Sequence, residues 1–180
     1  MVLLITGASH TGKTKLAQRM LEKHNVPYLS IDHLKMGLIR SGNTKLMPED
    51  DGALKDYLWP IVREIIRTVI ENDQNLIVEG CYVPFDWRRD FDERYLSSIR
   101  FLCLAMTDGY IDRHFGEILG HESDIETRRF DPECTIESLK EDNHAYIEGF
   151  QNAGEPVTLI DSDYERTIRS LTEQHVPFCR

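Results

Sequence analysis

The sequence predicts an α/β fold, a five-stranded parallel sheet with helices on both faces. Three observations carry that expectation. Short apolar runs alternate with helical patterns, a glycine-rich segment joins the first run to the first helix, and the 180 residues amount to one average domain. Strands that alternate with helices pack in parallel, because each helix returns the chain to the same end of the sheet.

The runs Val2–Ile5, Tyr28–Ile31, Leu76–Val78, Phe101–Leu104 and Val157–Ile160 read as strands, each bounded by turn or charged residues. Leu16, Ala17, Met20 and Leu21 form the inner face of a first helix. A longer stripe of apolar positions runs from Leu54 to Ile70 at helical spacing, and Pro60 inside it predicts a kink or a restart. Ile136, Leu139, Asn143, Tyr146, Ile147 and Phe150 mark another helix that ends near Gly154 and Pro156. Ser162-Asp163-Tyr164-Glu165 has the form of a capping box opening the last helix. Met20, Trp59, Trp87 and Phe150 fall at core spacing and read as packing.

Composition narrows the function. Forty-one per cent hydrophobic and 29% charged residues suit a globular chain that needs neither disulfide nor metal to fold. The formal charge of −10 argues against a nucleic-acid polymer or an anionic membrane as partner, since either needs a basic face. The charge is uneven. Residues 1–40 hold six Lys and Arg against Glu22 and Asp32, or +4, so the remainder holds −14. A basic first portion is compatible with a local anion site, and equally with a solvated helix. Val2–Ile5 is too short for a signal sequence or a membrane span. Four cysteines lie far apart with no C-x-x-C pair, which suits a reduced, cytoplasmic setting and no structural zinc.

In parallel sheets ligands bind beyond the carboxyl ends of the strands. Directly after the first strand stands Gly7-Ala8-Ser9-His10-Thr11-Gly12-Lys13-Thr14, a complete G-x-x-x-x-G-K-[ST]. Glycines let backbone N–H groups turn inward around phosphate oxygens, and the next helix points its positive end at them. Lys13 is placed to reach the β- and γ-phosphates of ATP, and the Thr14 hydroxyl to hold Mg²⁺. A GTPase would also carry D-x-x-G and N-K-x-D motifs, and neither is present.

A small chain that opens on this loop resembles the nucleoside-monophosphate-kinase-like family of P-loop small-molecule kinases, which includes adenylate, shikimate and gluconate kinases. The resemblance implies a three-layer P-loop fold in a single domain over residues 1–180. It also implies an acceptor segment over 33–58, a lid over 120–131 after the fourth strand, and transfer of a phosphoryl group from ATP to a small acceptor. Asp32, at the end of the second strand, matches the family's acceptor or metal-water carboxylate, although it would also serve as a helix N-cap. Arg40 matches an acceptor-gripping arginine. Glu79 stands where a metal-side acid belongs and, as a Glu in place of the commoner Asp, reads as an acceptor-binding or water-holding carboxylate; Gly80 follows it where backbone passes close to a ligand, a second acceptor-side candidate. Arg113 matches an arginine near the adenine, while Arg128 and Arg129 match lid arginines that neutralise the transferring group.

Two features bear on the acceptor. Glu79-Gly80-Cys81-Tyr82-Val83-Pro84 resembles a segment of 2-phosphoglycerate-kinase-like proteins and departs from the D-G-F-P-R of adenylate kinases. Arg88 and Arg89, just beyond, are further acceptor candidates. An adenylate-kinase-like reaction is the leading expectation. A kinase of a phosphoglycerate, sugar or antibiotic hydroxyl is the alternative, and a non-enzymatic ATP sensor a third reading.

Overall fold

The computed structural model describes residues 1–120 and 134–173. Five strands, β1 (Val2–Gly7), β2 (Tyr28–Ser30), β3 (Leu76–Glu79), β4 (Ile99–Met106) and β5 (Val157–Ile160), form one parallel sheet in the order β2-β3-β1-β4-β5. The chain leaves β1 towards one edge for β2 and β3, then crosses to the other side for β4 and β5. The sheet therefore switches direction at β1, and its carboxyl end is where a ligand crevice forms. In-register pairs Ile5↔Glu79 and Gly7↔Leu104 bring the ends of three strands level there.

Helices cover both faces. On one side α1 (Lys13–His24) and α7 (Tyr164–Glu173) pack over Leu3, Ile5, Ile77 and Leu104. On the other, α2 (Ile31–Arg40), α3 (Asp51–Glu71) and α6 (Ile136–Asn152) cover Val2, Leu4 and Val78. The alternation of Val2 and Leu4 against Leu3 and Ile5 is the two-residue period of a strand buried on both faces. A short helix, α4 (Glu93–Leu96), precedes β4, and α5 (Asp108–Gly120) follows it and packs on α6 through Ile111, Ile118 and Leu139. Trp87 and Phe150 are fully buried, and Trp87 stacks on Phe101 at 5.4 Å between centroids. Among the described residues no helix is long and apolar enough to cross a membrane.

Local chemistry shifts several expected boundaries. Ile31 opens α2 rather than closing β2, and Asp32 lies in the first turn. Asp32 is not the N-cap: Ser30 occupies that position, and the Asp32 carboxylate instead pairs with Lys35 at 3.0 Å. The expected restart at Pro60 is absent, and α3 is continuous from Asp51 to Glu71. Pro60 faces solvent, where the carbonyl its ring leaves unpaired is open to water, while Leu54, Leu58, Val62 and Ile66 stay buried on the far side. The last helix opens one residue later than the capping-box pattern predicts. Asp163 accepts from the Arg166 amide at 2.8 Å, which frees Glu165 to pair with Arg19 and Lys15 of α1. Those two cations hold the Glu165 carboxyl below its ordinary range.

Candidate functional site

The Gly7–Thr14 segment closes into a tight loop between β1 and α1. Gly7 is held at φ 144° against β4, where a Cβ would stand 2.1 Å from the Leu104 carbonyl oxygen. Gly12 has φ 83°, and its missing Cβ leaves room for the Tyr164 hydroxyl from α7. His10, between them, is also left-handed at φ 61°. Such a run of turned backbone aims successive amides into one concavity, and the N-terminus of α1 adds its positive end. The Lys13 ammonium, almost buried, donates to the Ala8 carbonyl at 2.7 Å across the loop, and Thr11 donates to the same oxygen at 2.8 Å. Gly12→Ala should therefore fail twice, through a strained φ and through collision with Tyr164. The expected result is loss of nucleotide binding, read by titration of ATP. Tyr164→Phe in the same chain should not restore it, because the backbone strain persists.

Beside this loop the strand ends gather acids. Glu79, 1% exposed, brings its carboxylate 3.3 Å from the Thr14 hydroxyl. Ser30 pairs with Glu79 in register, and its hydroxyl is buried without a protein partner. Oxygen donors of this kind, with an orphaned buried hydroxyl alongside, fit a hard cation such as Mg²⁺ and its waters. Among the described residues no three acid, histidine or cysteine side chains group as a metal-binding cluster in themselves. Gly80, which follows, is closest to the Ile31 side chain of α2, where a Cβ would stand 2.8 Å away.

Residues that the sequence does not mark as functional also join the site. Lys35 bridges the Asp32 carboxylate at 3.0 Å and the Tyr82 hydroxyl at 2.9 Å. Tyr82 in turn donates to Asp51 at 2.8 Å, so α2, α3 and the segment after β3 share one polar chain. Burial, then the hydrogen bond to Asp51, pushes the Tyr82 phenol far up, and it stays neutral. From α6, Asp142 accepts the Ser9 amide of the loop at 2.7 Å. Asn143 fixes α6 at that height by accepting the Met106 amide, and Tyr146 by donating to the Cys81 carbonyl, both at 2.6 Å. The charges of Lys13, Asp32 and Asp142 all bear on the Cys81 thiol. Loss of water around that thiol pushes its pKa up, with the Lys13 ammonium opposing.

The opposite flank holds Arg113. Its guanidinium donates to the Asp161 carbonyl at 2.8 Å, and Thr107 donates to the Asp161 carboxylate at 2.9 Å. The β4–α5 turn is thereby tied to the segment leading into Tyr164, next to Gly12.

The remaining candidates are placed elsewhere. Arg40 is exposed at the end of α2. Arg88 lies over the Trp87 ring and is engaged by Glu155, a carboxylate only 4% exposed just before β5. Arg89 is exposed and pairs with Asp86. Arg128, Arg129 and most of the expected lid lie outside the described residues. The Arg88 contact gives a testable distinction. Arg88→Ala strands a buried carboxylate and should cost roughly 2 kcal/mol, seen as a lowered Tm. A role in acceptor binding predicts instead a raised acceptor KM at unchanged Tm.

No known family model matches this sequence, and no curated protein does. Solved structures do. A gluconokinase from Sinorhizobium meliloti 1021 superposes with a TM-score of 0.52 at 13% identity, over 95% of this chain and 89% of that one. The fold is the one these kinases share. A sugar kinase from Janibacter sp. HTCC2649 gives a TM-score of 0.54 at 17% identity, over 95% and 92% of the two chains. A shikimate kinase from Bacteroides thetaiotaomicron gives 0.50 at 15% identity, over 96% of each. The five-stranded order and the loop after β1 are thus those of a P-loop small-molecule kinase fold.

Proposed function

We propose that the chain is an ATP-dependent kinase that moves the γ-phosphoryl group of ATP to the hydroxyl of a small, non-nucleotide metabolite. The carrying observation is the placement of Lys13, Asp32 and Glu79 at the carboxyl end of the sheet, beyond β1, beyond β2 and at the end of β3, beside a loop built to hold phosphate. In phosphoryl transfer the protein mainly positions the reactants and offsets charge. Loop amides and Lys13 orient the β- and γ-phosphates. Asp32, at the mouth of β2, orients the acceptor hydroxyl and takes its proton at a carboxylate oxygen. Thr14 and Glu79 hold Mg²⁺, which when bound neutralises phosphate charge. Arg113 serves the nucleotide's outer end.

The absence of D-G-F-P-R after β3, and the kinds of kinase that share the fold, support a non-nucleotide acceptor. Pure protein with γ-labelled ATP, Mg²⁺ and a metabolite extract should yield a labelled small molecule. Binding with slow hydrolysis and no labelled acceptor would instead identify a sensor module.

A further inference from the structure

The Ser9 amide belongs to the stretch of turned backbone that a phosphate group needs, yet it already has an anionic partner. Its N–H donates to the Asp142 carboxylate at 2.7 Å, across 133 positions of chain. To an amide, a carboxylate oxygen and a phosphate oxygen are the same kind of acceptor, charged and strongest at short range. One N–H carries one proton, so a nucleotide oxygen takes it only when the carboxylate leaves. The carboxylate also sets a negative charge against a loop that must receive negative charge.

The helix that carries Asp142 is fixed. Its neighbour Asn143 is fully buried, accepts the Met106 amide at 2.6 Å and donates to the Leu139 carbonyl at 2.7 Å. One turn further, Tyr146 donates to the Cys81 carbonyl at 2.6 Å. These bonds tie α6 to the end of β4 and to the segment after β3, the two strands that flank β1. Withdrawing the whole helix would break buried hydrogen bonds. The Asp142 side chain is only half-buried and its contact with Ser9 is exposed, so the carboxylate can turn about its own side-chain bonds into water. The contact is short, charged and at the surface, the kind that a ligand can break.

We propose that Asp142 is an internal competitor for the phosphate loop. Its carboxylate holds the Ser9 amide until a phosphate oxygen of the nucleotide displaces it, and it returns to that amide as the nucleotide leaves. The proposal rests on the reading of Gly7–Thr14 as a nucleotide site and is independent of the acceptor. Such a contact weakens nucleotide binding by a set factor and hastens release, the step that limits many kinases of this kind of closed site. A carboxylate that instead shaped the loop for phosphate would act with the opposite sign, and its removal would weaken binding.

The test is calorimetric titration of ATP with Mg²⁺ into the whole protein and into Asp142→Ala, Asp142→Asn and Glu141→Ala, with Tm recorded for each. Asp142→Ala should lower the Kd for ATP about tenfold, the worth of one charge-assisted hydrogen bond in an exposed place. Asp142→Asn keeps an acceptor oxygen without its charge, and its Kd should fall between the two. Glu141, next to Asp142 and exposed, controls for net charge. Glu141→Ala should leave the Kd within about twofold, because salt screens a solvated charge. A Kd unchanged or raised in Asp142→Ala overturns the inference, and so does an equal tightening in Glu141→Ala. A parent chain that binds no ATP overturns the reading of the loop and this inference with it.

Discussion

Lys13→Ala should lower phosphotransfer by at least about 10²–10³-fold, the usual loss when one preorganised donor to a developing negative charge is removed. The structure says why the loss should be chemical and not a consequence of unfolding. The ammonium's partner is the Ala8 carbonyl, which also receives the Thr11 hydroxyl at 2.8 Å and so remains satisfied without the lysine. A buried cation disappears together with its desolvation cost, and Tm should change little. Lys13→Arg should not rescue. Lys13 is only 8% exposed, and a planar guanidinium does not fit the place of a compact ammonium against the Ala8 carbonyl. The measurement is initial rate of labelled product against Tm for the three proteins. A Lys13→Ala chain that keeps full phosphotransfer would sink the proposed function.

The sheet was legible because its signals are local. Each buried strand is an apolar run of the right length, and G-x-x-x-x-G-K-[ST] after the first of them signals a tight turn into a helix. Departures came where tertiary context outweighed a local rule. Pro60 signals a kink or a restart, and the restart does not occur: its ring stands on the solvent side of a helix whose other face is anchored by Leu58 and Val62, and that burial outweighs one lost hydrogen bond. Ser162 and Glu165 spell a capping box, but Arg19 and Lys15 of α1 claim Glu165 first.

Of the candidate site, the sequence shows the residues at the strand ends and little else. Asp32 and Glu79 could be read because each ends a strand. Asp142 could not, since it reaches Ser9 from 133 positions away and no local pattern distinguishes it from other acids on an amphipathic helix. Lys35 and Tyr82 carry weaker signals, a three-residue spacing from Asp32 and a place two residues after Gly80. Arg88 shows the same limit: its buried partner, Glu155, stands 67 residues further on, where no local pattern could signal the contact.

Asp32→Asn is the variant that separates a group acting on the acceptor from one that merely holds Lys35. The amide keeps the shape of the side chain but can neither take a proton nor balance the lysine. If Asp32 orients and deprotonates the acceptor, kcat should fall by about 10²–10⁴-fold while KM for ATP holds, since the phosphate loop is untouched. Stability should fall slightly, because the pair with Lys35 is part-exposed, at 30% and 14% for the two side chains, and pairs of that kind contribute about 1 kcal/mol or less. The decisive comparison is the double variant Asp32→Asn with Lys35→Met. Removing the unpaired cation should return Tm towards that of the parent chain. If counter-ion duty were the whole role of Asp32, kcat would return with it. With Asp32 acting on the acceptor hydroxyl, Tm recovers and kcat stays low, and Asp32→Glu alone restores part of the rate by returning a carboxylate oxygen to the mouth of β2.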